Sequence, residues 1–320
     1  MVAIISQFRS SLKRCIILLD KLVRTLLLGL VFVRALLLSL VFVRNLLAGL
    51  VFSIKEICMF EFTSRVRYSE CAPDYRLSLA GLVNYLQDCA VFHAEDVGRS
   101  GQQLKKEHLA WMINGWQIKA LRYPEHGESI TTRTWAHGFR GLEAMRNFTI
   151  KDEEGNLIAC ADSRWCYFDT EAGRPIRIPQ SEIDAYGIEE GLEMEKAPRH
   201  IRLPKENIVE KMPFKVRTIH LDSNGHVNNE QYINMALAYL PAGIKARELR
   251  VEYLRQARLG DMLSPKFYHD GEEYIIWLEI EGQPCAIMQF FIYDEDVKLP
   301  RKSEVPDALP KKSAKPALLR

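Results

Sequence analysis

A chain of 320 residues is long enough for about two domains, and its 48% hydrophobic content supplies a packed core. The net charge of +2 hides a division: residues 1–58 carry eight Lys/Arg against two acids, residues 298–320 seven against two, and residues 59–297 carry 28 against 37. An acidic body with basic ends excludes a chain-wide nucleic-acid-binding surface. The seven cysteines, Cys15, Cys58, Cys71, Cys89, Cys160, Cys166 and Cys285, are odd in number and contain no C-x-x-C pair. That spacing implies neither a disulfide framework nor a zinc site, and it fits thiols in a reducing cytoplasm.

Residues 23–52 repeat with a ten-residue period as VRTLLLGLVF, VRALLLSLVF and VRNLLAGLVF. Arg24, Arg34 and Arg44 interrupt the apolar run, so no uncharged stretch reaches the ~18 residues of a clean membrane span. Ten residues turn a helix through about 1000°, so these arginines spiral around it rather than line one face. Three readings are open for residues 1–58: a membrane helix or hairpin that tolerates an arginine, an interfacial anchor, or an over-extended start. The third is preferred, with Met59 as a natural start. A secretory signal is not expected, because the run is too long and ends without a small-residue cleavage site.

From residue 60 the pattern changes. FTSRVRY (62–68) reads as a strand, and LSLAGLVNYLQDCAVFHAEDVG (77–98) as a helix whose apolar residues recur at three and four and which Gly98 stops. ITTRTWAHGF (130–139), LEAMRNFTI (142–150) and LIACADSRWCYF (157–168) read as strands, the last two joined by a turn at 152–156. A similar order returns: KVRTIHL (215–221) as a strand, a helix over 227–241 ended by Pro241, and strand-like LRVEYLRQARLGDML (249–263). SPKFYH and YIIWLEI flank a turn at Asp270-Gly271, and a turn at Glu281-Gly282 leads into AIMQFFIYD (286–294). Asp74 and Asp222 each precede a helix, and Gly127-Glu128 and Gly260-Asp261 each enter a late strand. This predicts a duplicated α+β unit: residues 59–180 and 213–297, a charged covering linker at 181–212 and a basic Pro/Lys-rich tail at 298–320.

The densest polar stretch is LDSNGHVNNEQY (221–232). Asn224-Gly225 favours a tight turn, and Asn228 or Asn229 can cap the following helix. Asp222, Asn224 and His226 then gather where a helix start presents unpaired N–H groups and partial positive charge. Such a corner can hold a developing oxyanion, while a carboxylate and an imidazole move protons near neutral pH. Turn, cap and solvated-histidine roles remain open for each residue taken alone.

Asp222, Asn224, His226, Val227, Asn228, Asn229 and Tyr232 together resemble the signature of the plant and bacterial acyl-acyl carrier protein thioesterases. So do LVNYLQDCAVFHAEDVG (82–98), WMINGWQIKALRYPEHGESI (111–130) and PIRIP (175–179), and the resemblance covers about residues 60–295. It implies an α+β fold of two tandem hot-dog domains, each an antiparallel sheet wrapped around a long central helix. It implies hydrolysis of fatty acyl-acyl carrier protein to free fatty acid, with Asp222, Asn224 and His226 in the active site of the second, catalytic domain. A fourth family position, usually glutamate, falls on Gln256, with Ala257 where a cysteine is common. Glutamine orients a water but is no base, so direct attack by water is expected, without an acyl-enzyme.

By the same resemblance the first domain supplies the acyl-chain tunnel, with Leu82, Leu86, Trp111 and Met112 as candidate lining residues; ordinary core is their other reading. The partner implied is an acidic acyl carrier protein, for which Lys245, Arg247, Arg250, Arg255 and Arg258 form a candidate basic patch. No cofactor, metal or nucleic acid is implied, and the membrane enters only if residues 1–58 are expressed. Coenzyme A in place of the carrier protein, or an acyl-thioester-binding protein without catalysis, are the alternatives. A dehydratase is disfavoured, because the second helix offers an acid, Glu230, only in its first turn.

Overall fold

In the computed structural model the described residues are 58–293 with Ser39, Val43 and Arg44. Apart from those three, the ten-residue repeats lie outside the described residues, as does the tail from Lys298. No helix among the described residues is long and apolar enough to cross a membrane.

The first half runs β1 (Met59–Arg65), a 3₁₀ turn (Tyr68–Glu70), α1 (Leu79–Asp96), the short α2 (Gly101–Lys106), then β2 (Leu109–Ala120), β3 (Ser129–Arg140), β4 (Glu143–Asp152) and β5 (Leu157–Asp169). Next come β6 (Arg174–Ile176) and α3 (Gln180–Tyr186). The second half runs β7 (Val209–Glu210), β8 (Phe214–Lys215), a 3₁₀ turn (Thr218–His220), α4 (Asn229–Leu237), β9 (Ala246–Tyr253), β10 (Met262–Asp270), β11 (Glu273–Ile280) and β12 (Gln283–Ile292).

One antiparallel sheet links both halves in the order β1-β3-β4-β5-β2-β9-β12-β11-β10-β7. The seam is β2 against β9, from Gly115 opposite Glu252 to Lys119 opposite Glu248. Glycine is required there by approach rather than by φ: a Cβ on Gly115 would stand 2.6 Å from the Val251 carbonyl oxygen. α1 begins where the Ser78 hydroxyl accepts from Gly81 N–H, and it buries Leu79, Leu82, Val83, Leu86 and Ala90, one apolar stripe at helical spacing. These residues share a core with Ile233 and Ala236 of α4.

Several elements differ from the sequence reading, the first strand among them, which spans Met59–Arg65 rather than 62–68. Residues 215–221 are not a strand: only Phe214–Lys215 pairs, with Met262 and Leu263, and a 3₁₀ turn follows. The second helix spans Asn229–Leu237 rather than 227–241. Its cap is Asn228, and Tyr239 and Leu240 N–H bond the carbonyls three residues back, a tightened last turn ahead of Pro241. The run 249–263 is broken, β9 ending at Tyr253 and β10 starting at Met262, because Leu254 and Arg255 N–H both turn onto the Cys285 carbonyl. Strand β2 was not marked in the sequence at all.

The segment after α3 follows the outer face of the sheet. Trp135 Nε1 donates to the Glu190 carbonyl, and Leu192 N–H to Asn147 Oδ1, both at 2.9 Å. Further along, Gln117 bonds the Glu195 carbonyl and the Ala197 N–H. On the second half Arg250 donates to the Pro198 carbonyl, and Glu252 accepts from Ile201 N–H and meets His200 at 3.0 Å.

Candidate active site

Backbone bonds form the loop 221–228. Asp222 N–H donates to the His226 carbonyl at 2.8 Å, Gly225 N–H to the Asp222 carbonyl at 3.1 Å, and Asn228 N–H to the His220 carbonyl at 2.9 Å. Gly225 takes φ +78°, which glycine adopts freely. The Asp222 carboxylate is used unevenly. Its Oδ1 accepts from Asn224 N–H (2.8 Å) and His226 N–H (3.2 Å), while Oδ2 is met only by the Asn224 amide at 3.5 Å. One oxygen shapes the turn and the other has only that long contact. Asp222 and His226 are half-buried, and Asn224 is exposed.

Two bonds tie this loop to the strand break at 254–261. Val227 N–H donates to the Ala257 carbonyl at 2.9 Å, and Ala257 N–H donates to the Tyr232 hydroxyl at 2.8 Å. The signature tyrosine therefore anchors the segment that carries Gln256. Gln256 itself is exposed, with Nε2 3.8 Å from Met112 Sδ. At the start of α4, Asn228 Oδ1 accepts from Glu230 N–H (3.1 Å) and from Gln87 Nε2 of α1 (3.2 Å). Glu230 is buried, and burial pushes its carboxyl above the ordinary range although Gln231 donates to it.

The first half builds the same corner with other residues. A 3₁₀ turn, a bridge (Cys71–Leu77 or Leu221–Val227) and a capped helix recur in the same order. Leu77 N–H bonds the Pro124 carbonyl as Val227 bonds Ala257, and Gly127 N–H bonds the Val66 carbonyl as Gly260 bonds Val216. On this register Asp74 corresponds to Asn224, not to Asp222 as the sequence order suggested. Ala72 stands at Asp222, Arg76 at His226 and Tyr123 at Gln256. Tyr123 is fully buried, its hydroxyl donating to the Ala246 carbonyl at 2.7 Å, and Lys245 lies over its ring while pairing with Asp74 at 3.0 Å.

Of the four lining candidates, Leu82 and Leu86 are fully buried in the main core. Trp111 packs in a second cluster against Tyr167, and its Nε1 donates to the buried Glu182 at 3.2 Å. Met112 Sδ lies 3.8 Å from the Gln256 amide. The basic patch is not assembled as expected. Arg250 is buried, held by Gln289 at 2.6 Å and by the Pro198 carbonyl, because the covering segment lies over it. Lys245 faces Asp74, and Arg247 pairs with Glu272. Arg258 stays beside this loop, its backbone paired with that of His226 in an isolated β-bridge. Gln87, which the sequence did not single out, reaches this corner from the other half through its bond to Asn228. Among the described residues no group of three His, Cys, Asp or Glu could hold a metal ion.

Residues 58–186 match the acyl-ACP thioesterase N-terminal domain, and residues 204–281 match its C-terminal domain. The chain belongs to the acyl-ACP thioesterase family. Among its relatives are the chloroplastic palmitoyl-acyl carrier protein thioesterase of Arabidopsis thaliana, 24% identical over 219 residues (63% of this chain, 53% of that protein), and oleoyl-acyl carrier protein thioesterase 2 of the same plant, 27% identical over 225 residues (62% and 59%). The chain thus spans a little over half the length of these relatives. Among solved structures it is similar to an acyl-ACP thioesterase from Bacteroides thetaiotaomicron, with TM-score 0.67 and 23% identity over 73% of this chain and 98% of that one. The 12:0-ACP thioesterase from Umbellularia californica gives TM-score 0.66 and 20% identity over 74% and 97%. The fold of this chain is theirs, an α+β hot-dog architecture of helices on an antiparallel sheet.

Proposed function

We propose that this chain hydrolyses fatty acyl-acyl carrier protein to free fatty acid and carrier, using two tandem hot-dog halves of which the second is catalytic. The observation that carries this is the Asp222 corner: a carboxylate with one oxygen left over, at the start of α4, in a member of this family. Water is activated at Asp222 Oδ2. The thioester carbonyl lies toward the start of α4, where the helix presents partial positive charge, with the Asn224 amide beside it. Water adds to the carbonyl carbon as Asp222 takes its proton, the C–S bond breaks, and that proton passes by way of His226 to the leaving thiolate. Gln256 donates to the water without taking its proton, and Ala257 leaves no thiol for an acyl-enzyme.

The surface around the corner suits an acidic partner with an apolar contact face. Arg217 and Arg258 are exposed there, as are Ile219, Leu259 and Met262 at 77%, 58% and 50%. Cations steer an acidic carrier, and the apolar side chains supply contact area. The test is hydrolysis by the full chain of matched acyl-carrier-protein and coenzyme A thioesters, beside Asp222→Ala. Turnover that prefers the carrier protein and vanishes in the variant is the expected result. Equal turnover of coenzyme A esters would transfer the assignment to that carrier, and binding without cleavage would overturn the hydrolase reading.

A further inference from the structure

The internal repeat exposes a residue that the signature does not contain. Beside the first-half loop lies a cavity of about 120 Å³, lined by Ala72, Ser78 and Tyr123 of that half and by Leu237, Lys245 and Ala246 of the other. On the register set by the matching backbone bonds, these correspond to Asp222, Asn228 and Gln256, faced by Gln87, Met112 and Ile113. Two contacts agree with that transfer: Gln256 meets Met112 where Tyr123 meets Lys245, and Gln87 bonds the Asn228 cap. The reactive corner is therefore built from both halves, and Gln87 is the polar group that α1 brings to it.

The orientation of the Gln87 amide is fixed by its partner. Asn228 Oδ1 already accepts from Glu230 N–H, so it faces Gln87 as an acceptor, and Gln87 must present Nε2 to it. Its Oε1 is left buried and without a hydrogen-bond partner among the described residues. A buried carbonyl left unpaired is disfavoured, and helix packing does not demand an amide there, since the equivalent position on α4 is Leu237. This oxygen is an acceptor in waiting.

We propose that Gln87 is a positioning residue for hydrolysis, its Oε1 accepting a hydrogen bond from the attacking water. The inference rests on the hydrolase reading above. Water gives one hydrogen to Asp222 Oδ2 and the other to Gln87 Oε1, accepts from Gln256 Nε2, and points its remaining lone pair at the thioester carbon. The proton taken by Asp222 is balanced by the one delivered to the departing sulfur. A carboxylate at position 256 is then not needed to hold the water.

The experiment compares wild type, Gln87→Leu, Gln87→Glu and Asp222→Asn on dodecanoyl- and palmitoyl-acyl carrier protein, with thermal melts of each. Gln87→Leu, which installs the residue of the silent corner, is expected to lose about ten- to a hundred-fold in kcat with KM within about two-fold. Gln87→Glu keeps an acceptor, and its kcat profile gains a new limb at the pH where that carboxyl titrates. If Gln87→Leu keeps kcat within about two-fold while Asp222→Asn is inactive, the role of Gln87 is overturned and the hydrolase reading stands. If Gln87→Leu does not fold, Gln87→Glu decides, and an unchanged pH profile overturns the role. A wild-type protein that cleaves neither substrate overturns both.

Discussion

Tyr232→Phe removes one oxygen atom and tests how the corner is held together. The Tyr232 hydroxyl accepts the Ala257 N–H at 2.8 Å, and Ala257 is fully buried. Phenylalanine fills the same space and leaves that N–H unpaired, which costs about 1–3 kcal/mol. For a domain of this size each kcal/mol moves Tm by about 2–4 °C, so the melt should fall by about 2–12 °C. The same bond holds the segment carrying Gln256, whose amide faces the water in the proposed reaction. A displacement of about 1 Å at such a group costs up to a hundred-fold in rate, so kcat should fall while KM changes little. Calorimetric melts and steady-state hydrolysis on the same preparation measure both. A variant with unchanged Tm and unchanged kcat would refute the anchoring role.

Arg122→Met strands two carboxylates, since Arg122 is buried between Glu128 and Asp152; the cost at neutral pH should be about 3–5 kcal/mol. Burial alone would raise the Asp152 carboxyl, but bonds from Asn156 and Arg122 outweigh it and hold it below the ordinary value. That contribution is present above the unfolded pKa of ~3.9 and is lost as pH falls through the folded value. The gap between wild type and variant should therefore narrow in acid, and a gap independent of pH in urea titrations would contradict the account. Glu230 has the opposite sign: burial raises its carboxyl, so its contribution is full below the unfolded pKa of ~4.3 and is lost as pH rises through the folded value. Glu230→Gln should accordingly stabilise the protein at neutral pH and not at pH ~3, as seen in melts at both. Gln256→Glu supplies a second carboxylate beside the water and should raise kcat by about ten-fold above its titration; an unchanged or lower kcat would show that position 256 only spaces the site.

The loop 221–228 was legible as a turn and cap because its logic is local. An Asx-type turn, a glycine at positive φ and a capped helix all lie within a dozen residues, and each leaves its own residue type in the sequence. α1 was legible for a similar reason, its buried side at three-and-four spacing over eighteen residues. β2 was not, because a bulge between Ile113 and Gly115 shifts its alternation midway. The run from Leu249 to Leu263 has strand composition throughout, but two N–H groups converging on Cys285 end the ladder, an event set by a strand more than thirty residues away. Distance in the chain also hid Gln87, whose place at the corner follows only from the packing of α1 against α4. Arg250 shows the reverse error, since alternation along a strand cannot reveal that a covering segment will close over it.

That covering segment bears on how the two halves have been free to diverge. Two separate chains that met through β2 against β9 and the α1–α4 core would part on dilution, and every copy would have to retain a complete corner in case it paired with another like itself. A covalent strap makes the pairing intramolecular, at an effective concentration in the millimolar range. Each half always meets the same opposite half. The first half can therefore carry Ala72, Asp74 and Arg76 where the second carries Asp222, Asn224 and His226, so that the two corners differ within one chain.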